Sequence, residues 1–207
     1  MRERGQDSLL VEQLQPWRCN IFSSEPYWEL GWFSIPFSVL WIVGITNAVN
    51  LIDGLDGLAS SICATVAGFM VLMDALAMAN GIESASGYVC VMGGALLGCV
   101  LGFLVYNHHP AKMFMGDTGA TFLGFILATM SIQGLFKFYT IISFAVPFLI
   151  LGLPIFDTCF AILRRVAKGQ SPMAPDRGHI HHRLIDMGLT QKQAVATLYV
   201  ISAILGL

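Results

Sequence analysis

The amino-acid sequence predicts an all-α, polytopic membrane protein with about five to six transmembrane helices. Of its 207 residues, 56% are apolar and 12% are charged, and this charged share is about half that of a typical soluble domain. The mean hydropathy of +0.70 points the same way. Because the apolar residues also cluster into long runs, they form candidate membrane spans rather than one soluble core.

Apolar runs define the predicted spans in chain order. They cover residues 32–46, 58–78, 87–106, 119–136, 138–163 and 194–207. A hydrocarbon core of about 30 Å needs roughly 20 helical residues, so the middle four runs are long enough, the first is marginal and the last is short. The polar residues 1–31 form a separate N-terminal segment, and the membrane domain is expected to occupy residues 32–207.

The distribution of basic residues predicts which side of the membrane the polar loops face. The loop over residues 164–193 carries six of the eleven lysines and arginines, which places it in the cytoplasm by the positive-inside rule. Counting the spans backwards then places residues 107–117 and 47–57 in the cytoplasm as well. Three polar clusters are therefore expected on one face. The same count puts residues 1–31 outside despite their arginines, so either this segment is not the natural lead-in or upstream sequence is missing.

Composition disfavours several other classes of protein. The five cysteines are dispersed, without a CxxC pair, so neither a zinc ribbon nor a disulfide framework is indicated. The N-terminus is polar and lacks the apolar region of a secretory signal peptide. No basic stripe suggests nucleic acid as a partner, and the sequence leaves the oligomeric state open.

The first polar cluster is "NAVNLIDGLDGLA", residues 47–59. It places Asn47, Asn50, Asp53 and Asp56 three residues apart, so that on a helix they would share about half of the circumference. The alternative is a plain turn, because Asp-Gly is a strong turn signal. Acids at a membrane boundary are costly unless they meet water, a metal or a cation. Oxygen ligands at a wet membrane face suit Mg²⁺.

The second cluster is "HHPAKMFMGDTG", residues 108–119. Asp117 precedes a predicted helix beside Lys112, where it is expected to hold a cation that bridges phosphates. The alternative is that Asp117 or Thr118 only caps the helix. The segment is not a Walker A loop, because it lacks GxxxxGK[ST]. The sequence favours His108 and His109 as interfacial polar residues rather than ligands.

The third cluster is "FDTCFAILRRVAKGQSPMAPDRGHIHHRL", residues 156–184. Its candidate anion-binding residues are Arg164, Arg165, Arg177, His179, His181, His182 and Arg183. Guanidinium forks and imidazoles suit a polyanion such as a pyrophosphate. Alternatives are that the arginine pair is only a topology signal, or that the histidines bind zinc, although no fourth ligand has zinc spacing. Together the clusters indicate a soluble substrate that contains phosphate and a lipid co-substrate.

These motifs resemble those of a known family. "NAVNLIDGLDGLA" (47–59), "PAKMFMGDTGATFLG" (110–124) and "PIFDTCFAILRRVAKGQSPMAPDRGHIHHRL" (154–184) are similar to the cytoplasmic motifs of the polyprenyl-phosphate N-acetylhexosamine-1-phosphate transferases. The resemblance runs from about residue 31 to the C-terminus. The "HIHH" form looks more like the WecA/TagO branch than the MraY branch.

The resemblance implies a reaction and a location. An N-acetylhexosamine 1-phosphate would pass from a UDP-sugar, UDP-GlcNAc above all, to undecaprenyl phosphate with release of UMP. The cofactor would be Mg²⁺, with Mn²⁺ as an alternative ion. The enzyme would be a multi-pass protein of the bacterial inner (plasma) membrane with its catalytic loops on the cytoplasmic face. It would catalyse the first membrane step of a cell-envelope polysaccharide, such as lipopolysaccharide or teichoic acid.

The resemblance also assigns roles to residues. The catalytic acids implied are Asp53, Asp56 and Asp117, of which Asp117 and Asp53 would hold the metal. The implied substrate-binding residues are Asn47, Asn50, Arg164, Arg165, His179, His181 and His182. Lys112, beside Asp117 in the second cluster, is expected to bind substrate with them.

One departure from the family pattern bears on the activity. Family members have an Asp-Asp pair on an upstream cytoplasmic loop, whereas residues 1–46 contain no such pair. The chain is therefore expected to be the C-terminal portion of such an enzyme, and an inactive fragment is one alternative. A membrane transporter is another, but transporters place functional charges near the bilayer midplane, and here only Asp74 lies clearly inside a span.

Overall fold

The structure, a computed structural model, describes residues 18–19, 28–29, 31–81, 87–134, 151–171 and 179–206. Most of the predicted segment 1–31, the first half of the predicted span 138–163 and Arg177 lie outside these residues. The described helices are α1 (Ser34–Ile52), α2 (Leu58–Ala79), α3 (Gly87–Asn107), α4 (Gly116–Gly134), α5 (Gly152–Ala167), α6 (Ile180–Asp186) and α7 (Gln191–Gly206). A 3-10 turn, Gly31–Phe33, precedes α1, and the short strands β1 (Arg18–Cys19) and β2 (Trp28–Glu29) pair antiparallel.

The predicted class, an all-α membrane protein, is confirmed. Three of the described helices are long and apolar enough to cross a membrane, and they span Ile35–Ile52, Leu58–Ala79 and Gly87–Asn107. Many apolar side chains point outward from these helices, such as Leu40, Val91 and Val105. An outward apolar surface is what a lipid environment requires, since lipid replaces water as the solvent there.

Several helix boundaries differ from the sequence prediction. The marginal span 32–46 continues to Ile52 as α1, because the polar residues after position 46 remain helical. Helix α4 begins at Gly116, before Asp117 rather than after Thr118. The predicted cytoplasmic loop 164–193 is partly helical, since it contains the end of α5 and all of α6.

Helices α1 and α4 pack antiparallel, and so do α2 and α3. In the first pair, the Trp41 indole donates to Ser131 Oγ at 2.8 Å, and Gly124 lies against the backbone of Thr46. In the second pair, Asn107 at the end of α3 contacts residues at the start of α2. The end of α1, the start of α2, the end of α3 and the start of α4 therefore meet at one end of the bundle.

The buried core is continuous across these helices. Its largest fully buried side chains are Leu58, Ile62, Met70, Leu127, Met130, Ile132, Leu151 and Leu198. Helix α7 adds Leu198 by packing on α2, and α5 packs on α1. Helices α5 and α7 are thus anchored to the bundle that carries the first two polar clusters.

Gly124 sets the distance between α1 and α4. A Cβ at this position would lie 2.8 Å from Thr46 Cα and 3.2 Å from two backbone carbonyl oxygens. Small residues of this kind let membrane helices approach closely. Gly124→Ala should therefore destabilise the fold by about 1–3 kcal/mol, since overpacked backbone cannot move aside, and should lower the thermal unfolding midpoint in detergent. Gly98→Ala, where nothing lies within 4 Å, is the control, and an equal midpoint for both variants would contradict the prediction.

Candidate active site

The stretch 53–57 is a turn between α1 and α2. The Asp53 N–H donates to the Asn50 carbonyl at 3.2 Å, and the Gly54 N–H donates to the Ile52 carbonyl at 2.6 Å, which closes the helix. Gly57 has a φ of +76°, a conformation that favours glycine. The expectation that Asp53 and Asp56 share a helical face is therefore wrong, because the helix stops at Ile52.

Asn107 ties this turn to the loop that follows α3. Its buried Oδ1 accepts from the Gly57 N–H at 3.1 Å and from Ser60 Oγ at 2.6 Å, and its Nδ2 donates to the Met113 carbonyl at 2.9 Å. If the turn and the loop moved apart, a buried polar atom would lose its hydrogen bond, which costs free energy. The Asn107 side chain therefore holds the turn and the loop in a fixed position relative to each other. Sequence reasoning did not single out Asn107. The available signal was its place as the first polar residue after an apolar span, directly before two histidines.

Asp53, Asp56 and Asp117 line one cavity of about 260 Å³ at this end of the bundle. We call it the acidic pocket; Asn107 and Met115 also line it. Burial, and then the negative charge of Asp117, raise the pKa of the Asp53 carboxyl above its ordinary value. Asp117 is exposed in the first turn of α4. The carboxylates of Asp53 and Asp117 therefore lie close enough to repel each other.

The acidic pocket has the chemistry that Mg²⁺ prefers. This ion binds through one or two carboxylates and keeps water or phosphate oxygens as its remaining ligands. Burial is the main cause of the raised pKa of Asp53, and the repulsion from Asp117 that adds to it would be relieved by a divalent cation. Within the described residues, no group of three or more His, Cys, Asp or Glu side chains is arranged to hold a metal alone. Asp53 and Asp117 are therefore the residues that could hold Mg²⁺ here, if other ligands came from water or a substrate.

Asp56 is held by the loop between α3 and α4. Its Oδ2 accepts from His109 Nδ1 at 2.9 Å and from the Ala111 N–H at 3.1 Å. A carboxylate can only accept, so Nδ1 of His109 carries the proton. His109 is thus hydrogen-bonded to a candidate catalytic acid, and its interfacial role stays a prediction.

The histidines of the third cluster are organised by Asp157 of α5. His179 Nδ1 donates to Asp157 Oδ2 at 2.9 Å, and the Ile180 N–H donates to Asp157 Oδ1 at 2.8 Å. The His179 and His181 rings stack with centroids 5.8 Å apart, and the His182 ring lies 4.3 Å from that of His181. Asp157 lies in the quoted motif "PIFDTC" but was not among the predicted site residues.

His181 connects the third cluster to the acidic turn. A Cβ at Gly54 would lie 2.5 Å from His181 Nε2, so the imidazole touches the backbone between Asp53 and Asp56. Burial, and then the charge of His182, lower the pKa of His181 to about 4. This imidazole is therefore neutral at pH 7, and it offers a ring N–H or a lone pair rather than a positive charge.

The lowered pKa of His181 predicts a loss of stability in acid. Between its ordinary pKa of 6.5 and the folded value of about 4, the unfolded chain binds the proton and the folded chain does not. The free energy of unfolding must then fall as pH falls through this range. This slope of stability against pH is measured by thermal unfolding at pH 7 and pH 5. The loss of stability between these two pH values should be smaller in His181→Gln than in wild type. His108→Gln, at an exposed histidine, should keep the slope, and an unchanged slope in His181→Gln would refute the prediction.

The other predicted residues lie at different places around this end. Asn47 is exposed, its amide donates to the Val43 carbonyl at 2.7 Å, and it does not line the acidic pocket. Asn50 is half-buried, and its Oδ1 has no hydrogen-bond partner among the described residues. Lys112 is exposed and does not line the acidic pocket.

The two arginines of the third cluster differ in exposure. In the last turn of α5, Arg165 is buried and Arg164 half-buried. Their predicted roles, like those of the other site residues, stay predictions.

Comparison with known proteins gives the family. The model of glycosyl transferase family 4 matches residues 10–135. The chain belongs to this family. It is 46% identical over 187 residues to a protein of Bacillus subtilis (strain 168) named probable undecaprenyl-phosphate N-acetylglucosaminyl 1-phosphate transferase, covering 88% of this chain and 50% of that relative.

Two further relatives of this family 4 protein carry related names. A decaprenyl-phosphate N-acetylglucosaminephosphotransferase of Mycolicibacterium smegmatis is 35% identical over 178 residues. The aligned part covers 80% of this chain and 44% of that relative. A phospho-N-acetylmuramoyl-pentapeptide-transferase of Desulfotalea psychrophila is 36% identical over 193 residues. The aligned part covers 86% of this chain and 51% of that relative. The chain therefore spans about half the length of the curated relatives it matches.

Proposed function

We propose that this family 4 protein transfers an N-acetylhexosamine 1-phosphate from a UDP-sugar to a polyprenyl phosphate and releases UMP. The names of the B. subtilis and M. smegmatis relatives support N-acetylglucosamine as the sugar and a polyprenyl phosphate as the acceptor. UDP-GlcNAc and undecaprenyl phosphate are accordingly the first pair of substrates to test.

The observation that carries the proposal is the contact between two sites of complementary chemistry. The acidic pocket contains Asp53 and Asp117, and His181 touches Gly54 on the wall of that pocket. Carboxylates suit a metal that neutralises a diphosphate, and imidazoles donate to phosphate oxygens. Phosphoryl transfer depends mainly on such positioning and on charge stabilisation.

The chain's own residues would bind, orient and accept protons. An oxygen of the lipid phosphate attacks the β-phosphorus of the UDP-sugar, the bond from that phosphorus to the bridging oxygen breaks, and UMP leaves with the electron pair. Asp56 is held by His109 and Ala111, and it would accept any proton left on the attacking phosphate. His179, whose Nδ1–H is fixed by Asp157, would present Nε2 to the nucleotide-sugar.

Asp117 and Asp53 would hold Mg²⁺, which, when bound, would neutralise charge on the transferring group. We further propose that this end of the bundle faces the cytoplasm of a bacterial cell and that the protein lies in its inner (plasma) membrane. The basic residues at the end of α5 support this orientation through the positive-inside rule. The reaction would begin the assembly of a cell-envelope polysaccharide.

Release of UMP tests the proposal. The purified chain, reconstituted with undecaprenyl phosphate, UDP-GlcNAc and Mg²⁺, should form UMP and lipid-linked sugar phosphate in equal amounts. EDTA should stop the reaction, and excess Mg²⁺ should restore it. Flux of substrate across proteoliposomes without UMP would support a transporter instead. Absence of UDP-GlcNAc binding by a folded sample would support an inactive fragment.

A further inference from the structure

The Asp56 carboxylate is held through only one of its two oxygens. Oδ2 accepts from His109 Nδ1 at 2.9 Å and from the Ala111 N–H at 3.1 Å. Each carboxylate oxygen has about two lone-pair sites, so these donors fill Oδ2. Oδ1 has no hydrogen-bond partner among the described residues. Because Asp56 lines the acidic pocket, Oδ1 is the oxygen that remains for a substrate bound there.

Both donors belong to the loop between α3 and α4, which is fixed by other contacts. The Lys112 and Met113 N–H groups donate to the Tyr106 carbonyl at 2.8 Å and 3.2 Å, and they fold the loop back onto the end of α3. Asn107 joins this loop to the acidic turn, through Met113 on one side and Gly57 on the other. None of these contacts involves an imidazole, so they would keep the loop beside the turn if the histidine side chain were removed.

The two donors to Asp56 differ in what a substitution removes. Ala111 donates through its backbone, which a change of side chain leaves in place. His109 donates through its ring, and the two side chains in this contact are 35% and 21% exposed, so the contact lies at the edge of the site rather than in the core. Without the ring, the carboxylate could rotate about the one hydrogen bond that remains. The imidazole is therefore the group that fixes the direction of Oδ1.

From this geometry we infer that His109 is a positioning residue, which holds Asp56 by Oδ2 and leaves Oδ1 to act on the substrate. The inference rests on the proposed function and names the oxygen that acts in it. Oδ1 accepts the proton left on the attacking phosphate, so that one O–H bond forms as the other breaks. Oδ2 keeps both of its donors throughout. His109 neither gains nor loses a proton in this step and needs no contact with either substrate.

Removal and replacement of the ring donor test this role. His109→Ala should lower kcat for UMP release about 10- to 100-fold, the scale of a misplaced catalytic group, with KM for both substrates within about twofold of wild type. His109→Asn, whose amide nitrogen lies about where Nδ1 was and can donate to Oδ2, should recover most of the lost kcat. His108→Ala removes the neighbouring exposed histidine and should keep wild-type kcat. Equal kcat in His109→Ala and His108→Ala would overturn the inference.

A double-mutant cycle tests whether His109 acts through Asp56. In an Asp56→Ala background, His109→Ala should change the residual kcat by less than about twofold, because the group that it positions is already absent. The same 10- to 100-fold loss in both backgrounds would place the effect of His109 elsewhere and overturn the inference. The thermal midpoint of His109→Ala should stay near that of wild type, since the Asn107 contacts remain. A kcat that returned in full at a lower assay temperature would show a structural role only and would also overturn it.

These outcomes are distinct from a failure of the proposed function. If wild type forms UMP and lipid-linked product while His109→Ala keeps wild-type kcat, the transferase stands and the positioning role is excluded. If wild type binds no UDP-GlcNAc and releases no UMP, both proposals fail.

Discussion

Asp117→Asn is expected to lower transferase turnover about 10²- to 10³-fold, the scale typical of losing one electrostatic contact in a preorganised site. Asp117 supplies one of the two carboxylates that suit Mg²⁺ in the acidic pocket. With an amide in its place, the remaining carboxylate of Asp53 should bind the ion more weakly. The Mg²⁺ concentration for half-maximal UMP release should therefore rise as turnover falls.

The same substitution should not unfold the protein. The charge of Asp117 contributes to the raised pKa of Asp53, so the two carboxylates repel each other in the folded state. Removing one charge relieves that repulsion, and the thermal midpoint in EDTA should stay the same or rise. Asp186→Asn removes one negative charge at the exposed end of α6 and should keep wild-type turnover. Wild-type turnover in Asp117→Asn would refute the metal assignment.

Local pattern in the sequence was sufficient to predict the fold class and the candidate acids. Apolar runs predicted α1, α2 and α3, although the run for α1 was only marginally long enough, because the residues of a membrane helix are mostly apolar over its whole length. The acids Asp53 and Asp117 were recognisable as candidate functional residues. A charged side chain at a membrane boundary costs free energy and is uncommon there unless it has a function. Counting the spans from the basic loop then placed both acids on the same side of the membrane. In the structure both acids line one pocket.

Contacts between distant residues could not be predicted in this way. The partners His109 and Asp56 are 53 residues apart, and His179 and Asp157 are 22 apart. No periodicity connects such positions, because the geometry arises only when separate helices pack. The end of α1 was also missed, since the three-residue spacing of polar side chains continues past Ile52 although the backbone turns there. The position of Gly54 under His181 belongs to the same class of tertiary contact.

Gly54→Ala is expected to reduce kcat/KM for UDP-GlcNAc about 10²-fold, although it adds only one methyl group. That methyl carbon would lie 2.5 Å from His181 Nε2 and 2.9 Å from its Cε1, so the ring must move. A displacement of about 1 Å at a catalytic group can cost this much. The variant should also show an altered affinity for UDP-GlcNAc, measured by calorimetry, because the displaced ring belongs to the predicted nucleotide-sugar site.

Gly44→Ala is the matched control, because it adds the same methyl group within α1 where nothing lies within 4 Å. Alanine is preferred to glycine in a helix by roughly 0.5–1 kcal/mol, so Gly44→Ala should be slightly more stable than wild type and fully active. If Gly54→Ala were as active as Gly44→Ala, the imidazole of His181 would have no positional role. If instead Gly54→Ala lost thermal stability in proportion to its activity, the contact would hold the fold rather than the substrate. The expected combination is near-normal stability with lost activity, since His181 sits at the end of the bundle and can shift without opening the core.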